Sequence, residues 1–123
     1  MKELRLLMLG RNETALADLE QALIESGWLS VTRLSTPEQV YDTIANSQVD
    51  AVIADEQVEG GSGLEFVREL VRSNPFVNCA LVSSLYPDEF HEATEGYGVF
   101  MQLPVQPGKE EARELISQLE KIC

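Results

Sequence analysis

The sequence has little positive charge, little cysteine and a single histidine. Its 123 residues contain nine lysines and arginines against 21 aspartates and glutamates, for a net charge of −12. Nucleic-acid affinity comes mainly from clustered Lys and Arg, so this balance disfavours direct binding of DNA or RNA. His91 is the only histidine, and neither Cys79 nor Cys123 has the spacing of a metal or redox site. No serine stands in a nucleophile elbow. From these absences together, we expect no metal site, no cofactor and no enzymatic activity.

Long apolar runs are also missing. No segment approaches the ~20 apolar residues that span a bilayer. Residues 1–12 lack the order of charge, apolar stretch and cleavage site that marks a secretory signal. We therefore expect a cytoplasmic protein without a membrane partner, and the length favours one domain over residues 1–123.

Short apolar runs alternate along the chain with segments of helical periodicity. The runs are almost continuous, as in strands that are buried on both faces of a parallel sheet. Regular alternation favours such a sheet, covered by helices on both faces. The glycine-rich stretch 60–63 is expected to be a flexible loop. Strands are predicted at 4–9, 29–31, 49–54, 79–82 and 99–103, and helices at 13–26, 37–47, 64–71, 88–95 and 112–122.

Residues at several predicted strand ends resemble the receiver domain of bacterial two-component response regulators. One strand ends at Asp55, and Gly63-Leu64 begins eight residues later, like the family's aspartate and the glycine-leucine pair that opens its next helix. Residues 81–84, Leu-Val-Ser-Ser, are similar to the family's strand that ends in Thr or Ser plus a small residue. Leu103-Pro104 stands where the family has Lys-Pro, and Phe100 falls on its switch aromatic.

The resemblance implies a fold and roles for individual residues. The fold would be flavodoxin-like, a doubly wound five-stranded parallel sheet of order 2-1-3-4-5, in a single receiver-like domain. Asp55 would be the phosphoacceptor equivalent, with Ser83 and Phe100 as switch equivalents. From the residues alone, Asp55 could instead cap a loop, Ser83 could satisfy nearby backbone groups, and Phe100 could pack in the core.

Two departures from the family's pattern weaken the chemistry of phosphorylation. Gly10-Arg11 replaces the acidic pair after the first strand, and Leu103, before Pro104, replaces a lysine. Mg²⁺ is usually held by carboxylates besides phosphate and water, so with Asp55 alone we expect weak or absent Mg²⁺ binding. Arg11 would also repel the cation. We expect a static salt bridge between Asp55 and Arg11 instead.

These features favour a signalling module over an enzyme. The expected function is two-component-type signal transduction by protein–protein interaction, in a degenerate, pseudo-receiver form. The partner surface is predicted on the fourth helix, the fifth strand and the fifth helix, where apolar side chains cluster at Phe90, Tyr97, Phe100 and Met101. The resemblance implies a protein partner, such as a histidine kinase or an output protein, and it leaves a homodimer open.

Two other functions stay open from the sequence. The first is an active phosphoacceptor domain that is phosphorylated on Asp55. The second is a small-ligand binder that uses a pocket between Arg11 and Ser83, because flavodoxin-like sheets bind ligands at their strand ends. Direct detection of phosphate on Asp55 would separate the first alternative from an interaction module.

Overall fold

A central sheet and the helices around it account for most of the chain. The computed structural model describes residues 3–11, 14–27 and 29–123. The strands are β1 (Leu4–Leu9), β2 (Leu29–Leu34), β3 (Ala51–Ala54), β4 (Gln57–Val58), β5 (Gly61–Ser62), β6 (Asn78–Val82) and β7 (Val99–Leu103). The helices are α1 (Ala17–Glu25), α2 (Pro37–Asn46), α3 (Gly63–Ser73), α4 (Pro87–Thr94) and α5 (Lys109–Ile122).

The five longer strands form one parallel sheet in the order β2-β1-β3-β6-β7. All four neighbouring pairs run parallel. Without the two short strands, this is the predicted order 2-1-3-4-5, which is confirmed. The strand order reverses direction at β1, so the crevice at the carboxyl ends of β1 and β3 is the place where such sheets bind ligands.

Helices cover both faces of the sheet, as predicted. One apolar cluster joins the sheet to α1 and α5, with Leu19, Leu23, Leu115 and Leu119 fully buried. The other joins the sheet to α2, α3 and α4. Each fully buried leucine contributes about 1.5–3 kcal/mol to folding, so these two layers hold the strand ends in place. Among the described helices, none has the length and hydropathy needed to cross a bilayer.

The stretch 57–62 forms a small hairpin, so the prediction of a flexible loop is wrong. Gln57 pairs with Ser62, and Val58 pairs with Gly61, in antiparallel register. The Val58 side chain is 2% exposed and packs in the core, which anchors the hairpin. Ser62 then begins α3, because its hydroxyl accepts a hydrogen bond from the Glu65 N–H at 3.1 Å.

Other element ends follow local signals in the sequence. Thr36 and Gln39 form a capping box at the start of α2, where each side chain accepts a hydrogen bond from the other's backbone N–H. Helix α1 begins at Ala17, later than predicted, after a turn at residues 14–16. The first part of the predicted helix, Glu13, lies outside the described residues.

Strand β7 carries a bulge at Phe100. Cys79 pairs with Val99 and Ala80 pairs with Met101, so Phe100 is the additional residue on its strand. Phe100 and Met101 are both partly buried against the cluster beneath α1 and α5. The switch aromatic predicted at this position therefore lies at an irregularity in an end strand of the sheet.

Substitution of Gly63 by alanine is expected to destabilise the protein by about 2–3 kcal/mol. A Cβ at this position would overlap the Asp55 carbonyl oxygen and lie 2.8 Å from the Leu81 side chain, and the first of these is backbone that cannot move easily. Chemical denaturation of Gly63→Ala measures the change.

Gly61→Ala provides a matched control. Its Cβ would meet only the flexible Glu65 carboxylate, at 3.6 Å, so we expect a change below about 0.5 kcal/mol. Equal denaturation midpoints for the two variants would contradict close packing of α3 against the end of β3.

Candidate functional site

Asp55, Ser83 and the predicted pocket residues lie at the carboxyl ends of the strands, where short backbone hydrogen bonds join neighbouring strand ends. The Asp55 N–H donates to the Leu9 carbonyl at 2.9 Å, and the Ser83 N–H donates to the Leu103 carbonyl at 3.0 Å. Asp55 thus follows β3 beside the end of β1, and Ser83 follows β6 beside the end of β7. The structure confirms that these strand ends meet, although individual side chains differ from expectation.

Asp55 carries a half-buried carboxylate that turns back onto the chain. Its Oδ1 accepts a hydrogen bond from the Glu56 N–H at 2.8 Å. Burial raises the pKa of Asp55 above its ordinary value, and the nearby Glu56 charge adds to the rise. The Glu56 N–H and the positive charge of Arg33 act in the opposite direction. Ionised Asp55 is therefore less favourable here than in water.

The guanidinium that acts on Asp55 is that of Arg33 on β2, and the expected salt bridge between Asp55 and Arg11 is not formed. The Arg11 side chain is exposed to solvent. Arg33 is half-buried, and its Nη1 lies 3.1 Å from Glu20 Oε1 on α1. An exposed arginine gains little from ion pairing, whereas the half-buried Arg33 is paired with Glu20 and acts on Asp55.

The described residues around these strand ends do not fit a magnesium ion. Arg11 and Arg33 line a cavity of about 410 Å³ together with Gly10, Glu20, Leu34 and Ser35. Glu20, the one carboxylate among the described lining residues, is already paired with Arg33. Within residues 3–11, 14–27 and 29–123, no three His, Cys, Asp or Glu side chains are grouped so that they could hold a metal ion. Mg²⁺ needs several hard oxygen ligands, and this cavity presents two cations instead.

The end of β7 supplies no positive charge. Leu103 is fully buried and packs in the cluster beneath α1 and α5. Pro104, which follows it, is exposed. Leu103 carries no charge and is held in the core, so its side chain cannot neutralise a charged group on Asp55.

Ser83 satisfies nearby backbone groups. Its side-chain oxygen accepts a hydrogen bond from the Leu85 N–H at 3.1 Å. Its carbonyl accepts one from Gln102 Nε2 at 3.2 Å, and the same nitrogen donates to the Leu85 carbonyl at 2.8 Å. The local role of Ser83 that the residues alone suggested is therefore present in the structure.

An interaction between Glu56 and Ser84 was not predicted. Glu56 Oε2 accepts hydrogen bonds from both the Ser84 N–H and the Ser84 hydroxyl, each at 2.7 Å. The sequence contained a signal, since each residue comes directly after a predicted strand-end residue. Both also line a cavity of about 370 Å³ with an apolar floor of Leu64, Leu81 and Phe90.

The predicted partner surface is mostly occupied by internal contacts. Phe90 is 7% exposed and packs in the cluster beneath α2, α3 and α4, so it is not available to a partner. The Tyr97 ring is half-buried, with the Arg68 guanidinium 5.4 Å from its centroid. Met101 and Phe100 are partly buried.

Other apolar side chains are exposed at the carboxyl ends of β6 and β7. Leu85 is 39% exposed and Tyr86 is 79% exposed, and both follow β6. Val105 is 57% exposed and follows β7, the next strand of the sheet. We call these three residues the loop patch. Phe76 is 95% exposed before β6, at the opposite end of the sheet.

Substitution of Asp55 by asparagine is expected to raise the free energy of unfolding at neutral pH, by less than about 1 kcal/mol because water still screens the half-buried carboxylate. Burial raises the pKa of Asp55 in the folded state, so its ionised form costs stability above that pKa. The cost disappears as the pH falls below the ordinary carboxyl range. Asn can keep the hydrogen bond from the Glu56 N–H.

Denaturation of Asp55→Asn and wild type from neutral to acid pH tests this expectation. Asp42→Asn, at an exposed position of α2, is the matched control and should change stability little at any pH. A destabilised Asp55→Asn at neutral pH would mean that the charge of Asp55 stabilises the fold.

Comparison with known proteins gives likeness in structure only. No protein-family model and no curated protein match the sequence. The signal receiver domain of an HD domain-containing protein from Pseudomonas fluorescens superposes with a TM-score of 0.80 at 17% identity, over 99% of this chain and 90% of that chain.

Two further solved structures agree with this likeness. A CheY-like receiver domain protein from Methanospirillum hungatei has a TM-score of 0.79 at 17% identity, over 97% of this chain and 95% of that chain. The RcsB response regulator of Salmonella typhimurium has a TM-score of 0.83 at 13% identity, over 98% of this chain and 61% of that one. The chain therefore has the flavodoxin-like fold of response regulator receiver domains, as the sequence predicted.

Proposed function

We propose that the chain is a pseudo-receiver, a two-component-type signalling module that acts by protein–protein interaction and without Mg²⁺-dependent phosphorylation of Asp55. The observation that carries this proposal is the set of side chains around Asp55. Arginines follow or end β1 and β2, and a core leucine ends β7. Phosphoryl transfer to a carboxylate needs metal ligands as well as placed cations, and among the described residues this set supplies arginines without a group of metal ligands.

The environment of Asp55 itself also supports the proposal. Its carboxylate is desolvated, accepts a hydrogen bond from its neighbour's backbone and lies near the negative charge of Glu56. A dianionic phosphoryl group at this position would add charge beside Glu56, with Arg33 already paired to Glu20. The product of phosphorylation would therefore be poorly stabilised.

The loop patch is the surface that we propose for the partner. Its side chains are exposed and apolar, and the first turns of the two helices that follow them are acidic, with Asp88 and Glu89 in α4 and Glu110 and Glu111 in α5. The charge complement of such a surface is a basic protein segment with an apolar side chain. A histidine kinase or an output protein with that chemistry is the expected partner, and a second copy of this acidic chain is disfavoured.

Incubation with Mg²⁺ and acetyl phosphate is expected to leave the protein unmodified. Among the described residues, no three His, Cys, Asp or Glu side chains are grouped to hold the metal, and Arg33, the cation that acts on Asp55, is already paired with Glu20. Intact-mass measurement before and after incubation detects any adduct, and a receiver domain that accepts phosphate serves as the positive control. A phosphoryl adduct on wild type that is missing from Asp55→Asn would establish the competing function, an active phosphoacceptor.

Truncation of Tyr86 to alanine is expected to weaken partner binding at least about tenfold, because exposed aromatic side chains commonly dominate such interfaces. A protein crosslinked to the wild-type chain in a lysate of its source is identified and purified, and its affinity for each variant is then measured by calorimetry.

Phe76→Ala is the matched control, since it removes an even more exposed aromatic ring from the other end of the sheet. We expect it to bind as wild type does. Equal losses in the two variants, or none in Tyr86→Ala, would place the partner elsewhere.

A further inference from the structure

The loop between β6 and α4 is held by side chains from two other strand ends. On one side, Glu56 Oε2 accepts both the N–H and the hydroxyl hydrogen of Ser84, at 2.7 Å each. Hydrogen bonds to an ionised acceptor are shorter and about twice as strong as neutral ones. One carboxylate oxygen thus takes both donors of a single loop residue.

A second contact holds the loop from β7. Gln102 Nε2 donates to the Ser83 carbonyl at 3.2 Å and to the Leu85 carbonyl at 2.8 Å. The Leu85 N–H is itself taken by the Ser83 side-chain oxygen. Carbonyls on either side of Ser84 are therefore bound to one amide group, while Ser84 is bound to Glu56.

Two hydrogen bonds hold the backbone of Glu56 in place. Its N–H donates to Asp55 Oδ1 at 2.8 Å, and its carbonyl accepts the Gly63 N–H at 2.9 Å, where α3 begins. Between these anchors, the short hairpin leaves its backbone little freedom. The carboxylate is consequently delivered to Ser84 by a fixed stretch of chain at the end of β3.

The donors of Ser84 converge as donors do around a bound oxyanion. The cavity of about 370 Å³ that Glu56 and Ser84 share gives room for a small anion if the Glu56 side chain is removed. The Glu56 carboxylate therefore occupies a position that a free anion would fit.

We propose that Glu56 is a built-in anionic ligand of this loop, and that with Gln102 it holds residues 83–85 in one arrangement, so that the Leu85 and Tyr86 side chains of the loop patch are presented without any modification of the chain. The inference rests on the proposed function for the use of that patch. Glu56 and Gln102 are positioning residues, since they act on the loop and through it on Leu85 and Tyr86.

Amide hydrogen exchange of Ser84, followed by NMR, tests the contact. In Glu56→Ala the Ser84 amide is expected to exchange roughly tenfold to a hundredfold faster than in wild type, which corresponds to loss of a charge-assisted hydrogen bond. Glu59→Ala, which removes an exposed carboxylate from the same hairpin, should leave that rate unchanged. An unchanged Ser84 rate in Glu56→Ala would overturn the proposal.

Addition of acetate distinguishes an anionic ligand from a merely structural side chain. Sodium acetate should slow Ser84 exchange in Glu56→Ala back toward the wild-type rate, whereas sodium chloride of equal ionic strength should not. Neither salt should alter wild type, whose donors are occupied. Equal effects of the two salts on Glu56→Ala would overturn the claim that the site is built for a carboxylate.

Glu56→Gln keeps the test available if the alanine variant does not fold. Its neutral oxygen can accept the same two hydrogen bonds, so we expect Ser84 exchange a few times faster than in wild type. A wild-type rate in Glu56→Gln would show that charge is not what holds the loop.

The outcome is separable from that of the proposed function. A phosphoryl adduct on Asp55 would remove the proposed function and leave Ser84 exchange in the unmodified chain as it is. Fast Ser84 exchange in wild type, with no adduct on Asp55, would remove only the further inference.

Discussion

Burial of β1 on both faces of the sheet is the constraint on which the rest of the structure depends. Residues 6–9 of this strand are at most 3% exposed, and they pair with β2 on one side and β3 on the other. A strand whose side chains are buried on both faces over these four residues requires a layer of helices on each face. With that arrangement, the carboxyl ends of β1, β3 and β6 come to the same edge, and residues far apart in sequence share one site.

The site at the carboxyl ends of the strands lies on a receiver-type fold, and its charges are unevenly distributed. Arg11 and Arg33 place positive charge near the carboxyl ends of β1 and β2, and the end of β7 is apolar. The polar contacts that remain are internal: Asp55 with its own backbone, Ser83 with Leu85, and Glu56 with Ser84. Each of these groups thus has at least one hydrogen-bond partner within the chain.

Much of the fold could be predicted because its signals are local. The runs that became strands, the Thr36 capping box and the strand end at Asp55 are all written in a few adjacent residues. Side-chain placement was harder. Arg11 and Arg33 both lie near a strand end in the sequence. Only their packing in the folded chain decides that the charge of Arg33 lowers the pKa of Asp55. The hairpin at 57–62 escaped prediction because its strands are two residues long, too short for a period.

Strand β7 is an edge strand of the sheet, and its bulge affects how another chain can pair with it. An end strand with a regular backbone offers a row of N–H and C=O groups to which another strand can pair, and this often leads to aggregation. At Phe100 the spacing of that row is broken, since one extra residue shifts the groups that follow it. Addition of a strand at this edge is thereby disfavoured, and recognition here must depend on side chains more than on backbone pairing.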